Sequence, residues 1–247
     1  MTRSLFLNAE FDLLSKKETI EMIVSAIDSG RFGYSRGDIN VATVVSIQSN
    51  IALRQAINEN DIVNFDGVGA IWGAKFLKIP CPERITGIDL FSALIGVSEQ
   101  KRYRVFFLGS TEDTLQNMIA NLKVSHPNLL VAGSHNGYFW GKEKDVVDLI
   151  NKSQAQLLFI GIKSPEKELF IQEWRRCINV NFLMGVGGTF DVISGKINRA
   201  PDWMQQGGLE WLFRIIQEPR RMWKRYLVSN FKFAYLLLRA RAIHFLK

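Results

Sequence analysis

Asp66 closes a short run, Ile62 to Phe65, and Gly67 follows it at once. A brief strand broken by an Asp-Gly turn would set that carboxylate at a strand's carboxyl end. A carboxylate there suits general-base work, because open α/β sheets gather ligands at that edge, where the following helices begin. Asp66 would serve equally well as the cap of a helix starting near Val68. Gly109 follows "VFFL", and Gly185 and Gly187 follow "NFLM". Glycine just past a strand lets backbone N–H groups approach a phosphate, although a tight turn also needs it. Neither stretch completes G-x-G-x-x-G or supplies a Walker lysine.

Charge for binding a diphosphate would come from arginine. Arg84 follows a Pro-Glu pair in a loop, and Arg214, Arg220, Arg221 and Arg225 lie near the C-terminus. Guanidinium groups hold phosphate oxygens in pairs and keep their charge at any working pH, while each could also be an ordinary surface ion pair. The three histidines are scattered and no D-x-D pair is present, so neither a metal nor another cofactor is expected. No G-x-S-x-G, H-E-x-x-H or Cys/His pairing argues for a hydrolase.

The elements that would position these groups alternate. Ser15 to Glu18 form a capping box opening a helix that Gly30 closes. A β-branched strand is expected over 39–47, a helix over 50–58 and the strand that ends at Asp66. Helices over 68–78 and 88–99 follow, then strand 103–109, helix 111–124, strand 129–133, helix 142–152, strand 156–161, helix 165–177 and strand 180–186. Repeated β-α-β implies an α/β fold: a Rossmann-like, mostly parallel sheet with helices on both faces. The catalytic core is expected over residues 1–197, with a helical appendage over 198–247.

The net charge of +7 lies in that appendage: residues 214–247 hold nine Lys/Arg and one acidic residue, Glu218. Taken as one helix from Arg220, this segment sets Arg221, Arg225, Lys232 and Arg239 in one band. Trp223, Leu227, Phe231, Ala234, Leu238 and Phe245 fall roughly opposite. A basic stripe facing an aromatic one points to an anionic membrane surface. A helix packed on the body with a solvated basic face would read the same way, and nucleic acid is the poorer fit to a continuous apolar stripe. No run suits a signal peptide or a spanning helix, and two cysteines without a spaced pair fit a reducing, cytosolic setting. On the α/β pattern alone, a dinucleotide-binding oxidoreductase is the competing class.

Longer motifs narrow the choice. "DGVG" (66–69), "PERITGIDL" (82–90), "FFLGS" (106–110), "GYF" (137–139), "GVGGTFDVISG" (185–195), "RAPDWMQQGGLEWLFR" (199–214) and "EPRRMWKRY" (218–226) resemble the WecG/TagA/CpsF glycosyltransferases of bacterial surface-polysaccharide synthesis. The resemblance implies an inverting, metal-independent transfer from a UDP-sugar to a polyprenyl-diphosphate-linked sugar, by a peripheral protein on the cytoplasmic face of the inner membrane. It implies a base at Asp66, with Thr43 on the preceding strand and Arg84 beside it. Tyr138 and Asp191 would line the uridine pocket, next to Gly109, Gly185 and Gly187. Arg214, Arg221 and Arg225 would reach the diphosphate from the appendage. Two departures stand out: the family's Asn two residues after the threonine reads as Val45, and the Gln of P-x-Q-E reads as Lys167. Lys167 could meet a carboxylate on the sugar or a phosphate, or simply be a solvent-facing helix lysine. The donor is therefore open among UDP-N-acetylmannosamine, its uronate and other UDP-hexoses or uronates, and self-association into a homo-oligomer is open too.

Overall fold

In the computed structural model the chain opens with a hairpin, β1 (Ser4–Phe6) and β2 (Ala9–Phe11), turning through Leu7 and Asn8, both at positive φ. The structure describes residues 3–81 and 83–245, and all their side chains except those of Arg221, Met222, Arg225, His244 and Phe245. The Asp12 N–H donates to the Val63 carbonyl, and the Asp12 carboxylate accepts the Val63 N–H at 2.8 Å, so the hairpin covers an exposed sheet edge. Helix α1 (Lys16–Asp28) starts on the expected capping box, with Gly30 in the left-handed region just past its end.

The next two elements differ from expectation. β3 (Tyr34–Ile39) is the strand, and the β-branched stretch after it is a helix, α2 (Val41–Ser46). Asn40 explains the switch: its side-chain oxygen accepts the Thr43 N–H at 3.0 Å, a local N-cap that outweighs the weak strand preference of "VATVV". β3 escaped notice because it buries "YSRGDI", a polar sequence, along its whole length.

From there the alternation holds: α3 (Ile51–Asn58), β4 (Ile62–Phe65), α4 (Val68–Phe76), α5 (Gly87–Lys101), β5 (Arg104–Gly109), α6 (Glu112–Ser125), β6 (Leu130–His135), α7 (Glu143–Ser153), β7 (Leu157–Gly161), α8 (Glu166–Trp174), β8 (Phe182–Gly185) and α9 (Thr189–Ile193). Three helices finish the described chain: α10 (Asp202–Gln206), α11 (Glu210–Gln217) and α12 (Pro219–Phe245). Six strands pair in the order β4-β3-β8-β7-β5-β6, with every pairing parallel. All six carboxyl ends therefore open on one edge.

Apolar runs buried on both faces hold the sheet. In β5, Val105 and Phe107 pack with α1, α5 and α6, while Phe106 and Leu108 pack with α7 and α8 on the other side. A third cluster joins Ile39, Val63 and Phe65 to the hairpin's Phe6 and Phe11. Phe233 of α12 enters that cluster, so the last helix docks on the body through a face the two-stripe reading had not separated. Gly73 of α4 makes room, since a Cβ there would stand 2.5 Å from Phe233 Cζ. The described members of the aromatic stripe are left exposed, with Phe231 at 70% and Leu238 at 64% of full accessibility, and Phe245 lies outside the described side chains. Lys232 and Arg239 are exposed as well. Among the described residues no helix is long and apolar enough to cross a membrane.

Candidate functional site

Asp66 follows β4 directly, and its N–H donates to the Ile39 carbonyl at 2.9 Å, which fixes it against the end of β3. It does not cap α4, whose N-cap is Gly67 with no side-chain bond. Its Oδ1 instead accepts the Gly87 N–H at 3.3 Å, the first helical residue of α5. Asp66 thus faces one helix N-terminus and stands beside another.

Beneath it runs a buried polar layer. Arg36 of β3 donates from Nε to Asn64 Oδ1 at 3.1 Å and from Nη2 to the Ile85 carbonyl at 2.9 Å. Its Nη1 lies 3.6 Å from Asp38 Oδ1, and Lys167 Nζ of α8 donates to that same oxygen at 3.0 Å. Glu168 Oε1 sits 3.3 Å from Lys167 Nζ on the other side. Buried charges persist only when paired in this way. Burial opposes the Asp38 charge, but Lys167 and Arg36 outweigh it and hold that carboxyl below its usual range. Burial likewise opposes the Lys167 charge, and Asp38 and Glu168 reverse the effect, so the ammonium stays protonated. For Asp66 the balance goes the other way. Desolvation first, then the neighbouring Asp38 charge, push its carboxyl up to about 6, against the pull of Arg36, Lys167 and the Gly87 N–H.

A second group of residues meets at β5 and β7. Gly109 has φ +130, and a Cβ there would lie 2.6 Å from the Gly161 backbone, so only glycine fits. The Gly137 N–H donates to the Ser110 carbonyl at 2.9 Å, which draws the turn after β6 against β5, with Tyr138 76% exposed at its tip. Asp191 of α9 accepts from Ser110 Oγ at 3.5 Å and lies 3.6 Å from Lys196 Nζ. β5 leads to β6 on one side and β7 leads to β8 on the other, so this group sits at a switch point of the sheet, where α/β folds bind ligands.

Between the two groups lies the turn after β8. Gly187 has φ +52 with open space where a side chain would be, and Arg214 of α11 reaches the turn, its Nη1 3.8 Å from where a Gly188 Cβ would stand. Gly185 also has a packing role. A Cβ there would meet Lys167 Cδ at 2.8 Å, so its absence lets the lysine cross β8 to reach Asp38.

The expected residues thus fall in three patches along one edge, and some placements change their meaning. Thr43 lies on α2, not on a strand, and its residue is buried. The strand preceding β4 is β3, which ends at Ile39, and Asn40 follows it as the N-cap of α2. Val45 lies on the same helix, α2. Lys167 is neither solvent-facing nor free, being ion-paired in the interior. Arg84 Nη2 bonds Glu210 Oε2 of α11 at 2.9 Å, tying the site loop to the appendage. Arg221 and Arg225 lie outside the described side chains. Sequence reasoning missed Arg36, Asp38, Asn64 and Glu210; the one available signal was Asn40, an asparagine placed to cap "VAT".

Fold and site together define a doubly wound α/β protein with its polar and glycine-lined groups gathered at the carboxyl edge of the sheet. Residues 4–245 match the family described as Glycosyl transferase WecG/TagA/CpsF, and the chain belongs to it. That membership gives the oxidoreductase alternative no support. The chain is 33% identical over 171 residues to the N-acetylglucosaminyldiphosphoundecaprenol N-acetyl-beta-D-mannosaminyltransferase of Bacillus spizizenii, a match covering 69% of this chain and 66% of that one. It is 32% identical over 183 residues to the enzyme of the same name from Bacillus subtilis, covering 74% and 70%.

Proposed function

We propose that this chain transfers a sugar from a UDP-sugar to a polyprenyl-diphosphate-linked sugar during the synthesis of a cell-surface polysaccharide. The observation carrying this reading is the half-buried carboxylate of Asp66, raised to about 6 at the sheet edge of a glycosyltransferase-family chain. A base must be deprotonated yet still want a proton, and a value near working pH meets both demands. Asp66 takes the proton of the acceptor hydroxyl while that oxygen bonds the anomeric carbon. The bond to the UDP oxygen breaks on the opposite face, its electron pair leaves with UDP, and the anomeric configuration inverts.

An extended donor fits the edge. From β5 to β4 is four strand steps of about 4.8 Å, on the order of 19 Å. Uridine would sit by Gly109, Tyr138 and Asp191, the diphosphate at the Gly187 turn under Arg214, and the sugar over Asp66. Arg84 would join the diphosphate by exchanging Glu210 for it, and Arg221 and Arg225 would add charge from α12. The names of the two relatives favour N-acetylglucosaminyl-diphospho-lipid as acceptor and N-acetylmannosamine as the sugar moved. The test is a panel of UDP-sugars with a short-chain acceptor of that kind, in excess chelator, read by mass spectrometry. One added hexosamine from UDP-N-acetylmannosamine is expected; no product from any UDP-sugar would overturn the reading.

The acceptor's lipid fixes where the protein must work. The exposed aromatics of α12, with Lys232 and Arg239, would hold it peripherally on an anionic membrane. Vesicles containing anionic lipid should bind the protein, and binding should fall steeply between low and high salt. Equal binding to neutral vesicles at every salt concentration would contradict the basic stripe's role.

A further inference from the structure

Two carboxylates end adjacent strands, and they are treated very differently. Asp38 is held by three neighbours: Lys167 Nζ at 3.0 Å, Arg36 Nη1 at 3.6 Å and Asn40 Nδ2 at 3.4 Å. Asp66 accepts a single backbone N–H, and among the described residues no cation lies within ion-pair distance of it. The register explains their closeness: Asp38 pairs with Asn64, so Asn40 and Asp66 come next on the same face. Lys167 reaches Asp38 from 129 residues away, over the gap left by Gly185.

We propose that Asp38 and Lys167 form a positioning pair for the base: each occupies the other, so that Asp66 alone of the two carboxylates is free to take the acceptor's proton. This rests on Asp66 being the base. Without Lys167, both carboxylates would compete for one proton, as close acid pairs do. Without Asp38, the buried ammonium would turn its charge on Asp66 and weaken it as a base. The charged and donor groups facing Asp66 are Asp38 and Arg36 from β3, Lys167 from α8 with Glu168 behind it, and the Gly87 N–H of α5.

The test is a carbon-13 carboxyl titration of Asp66, assigned by its loss in Asp66→Asn, alongside turnover against pH. In Asp38→Asn the Asp66 midpoint should fall by about one to three units, and turnover should drop at least about tenfold. In Lys167→Gln the midpoint should move the opposite way, above the wild-type value of about 6. The double variant, with both charges gone, should return the midpoint towards wild type and recover most of the turnover lost in Asp38→Asn. Opposite movements in the two single variants are a signature that simple loss of packing does not produce; should one of them not fold, the double variant compared with the other still reads the missing charge. An unmoved midpoint in the folded single variants overturns the pair, whatever Asp66 does. A moved midpoint with undiminished turnover in Asp66→Asn overturns the base reading, and with it the pair's part in catalysis.

Discussion

Replacing Asp66 with asparagine is expected to lower turnover by about 10²–10⁴-fold, the range a positioned general base contributes, while UDP still binds. The amide oxygen of asparagine can keep the Gly87 N–H, so the turn and the start of α5 should persist. Removing the carboxylate also ends its repulsion with Asp38, so the variant should be no less stable than the wild type at neutral pH. The pH profile supplies the sign. Asp66 works deprotonated and its pKa is raised, so wild-type turnover should climb with pH through about 6 and level off above it. In the asparagine variant that acid limb should vanish from whatever rate remains. Turnover near wild type, or an unchanged limb, would remove Asp66 from the role.

The second large effect concerns the appendage. Phe233→Ala should cost about 3–5 kcal/mol, as loss of a buried aromatic ring does. Phe233 is 7% accessible, its ring centroid lies 6.2 Å from that of Phe6, and Gly73 is shaped around it. The loss should fall mostly on the docking of α12 rather than on the sheet, because the other members of that cluster stay in contact with one another. Limited proteolysis should then cut within α12 first, and hydrogen exchange should rise there while β3 and β4 stay protected. Turnover on a lipid acceptor should drop with it, as Arg214, Arg221 and Arg225 lose their support. An unchanged melting curve with an uncut α12 would show that the helix is held by something else.

The chain discloses its later half better than its earlier half, for a physical reason. β5, β7 and β8 are buried on both faces, so each appears as an apolar run between glycines and turns. β3 is equally buried but carries Arg36 and Asp38, which are tolerable there only because Asn64, Lys167 and the Ile85 carbonyl come from elsewhere. No local pattern announces partners that distant. The same holds for Arg84 and Glu210, 126 residues apart. Asp66 was legible because a strand end and a turn are local features; the rise in its pKa comes first from burial and then from the Asp38 charge, and neither is visible in the local sequence. The hairpin was missed because its tight turn uses Leu7 and Asn8 rather than a glycine pair. On α12 the described members of the aromatic stripe are exposed, while the docking face was hidden by being apolar too.

The most direct measurement is a structure of the Asp66→Asn variant with UDP-sugar and a short-chain lipid-diphosphate acceptor both bound. The expected picture has uridine beside Gly109 and Asp191, the diphosphate at the Gly187 turn, and the attacking hydroxyl in hydrogen-bond reach of residue 66. An acceptor hydroxyl facing some other group, with residue 66 buried away from both sugars, would contradict the account.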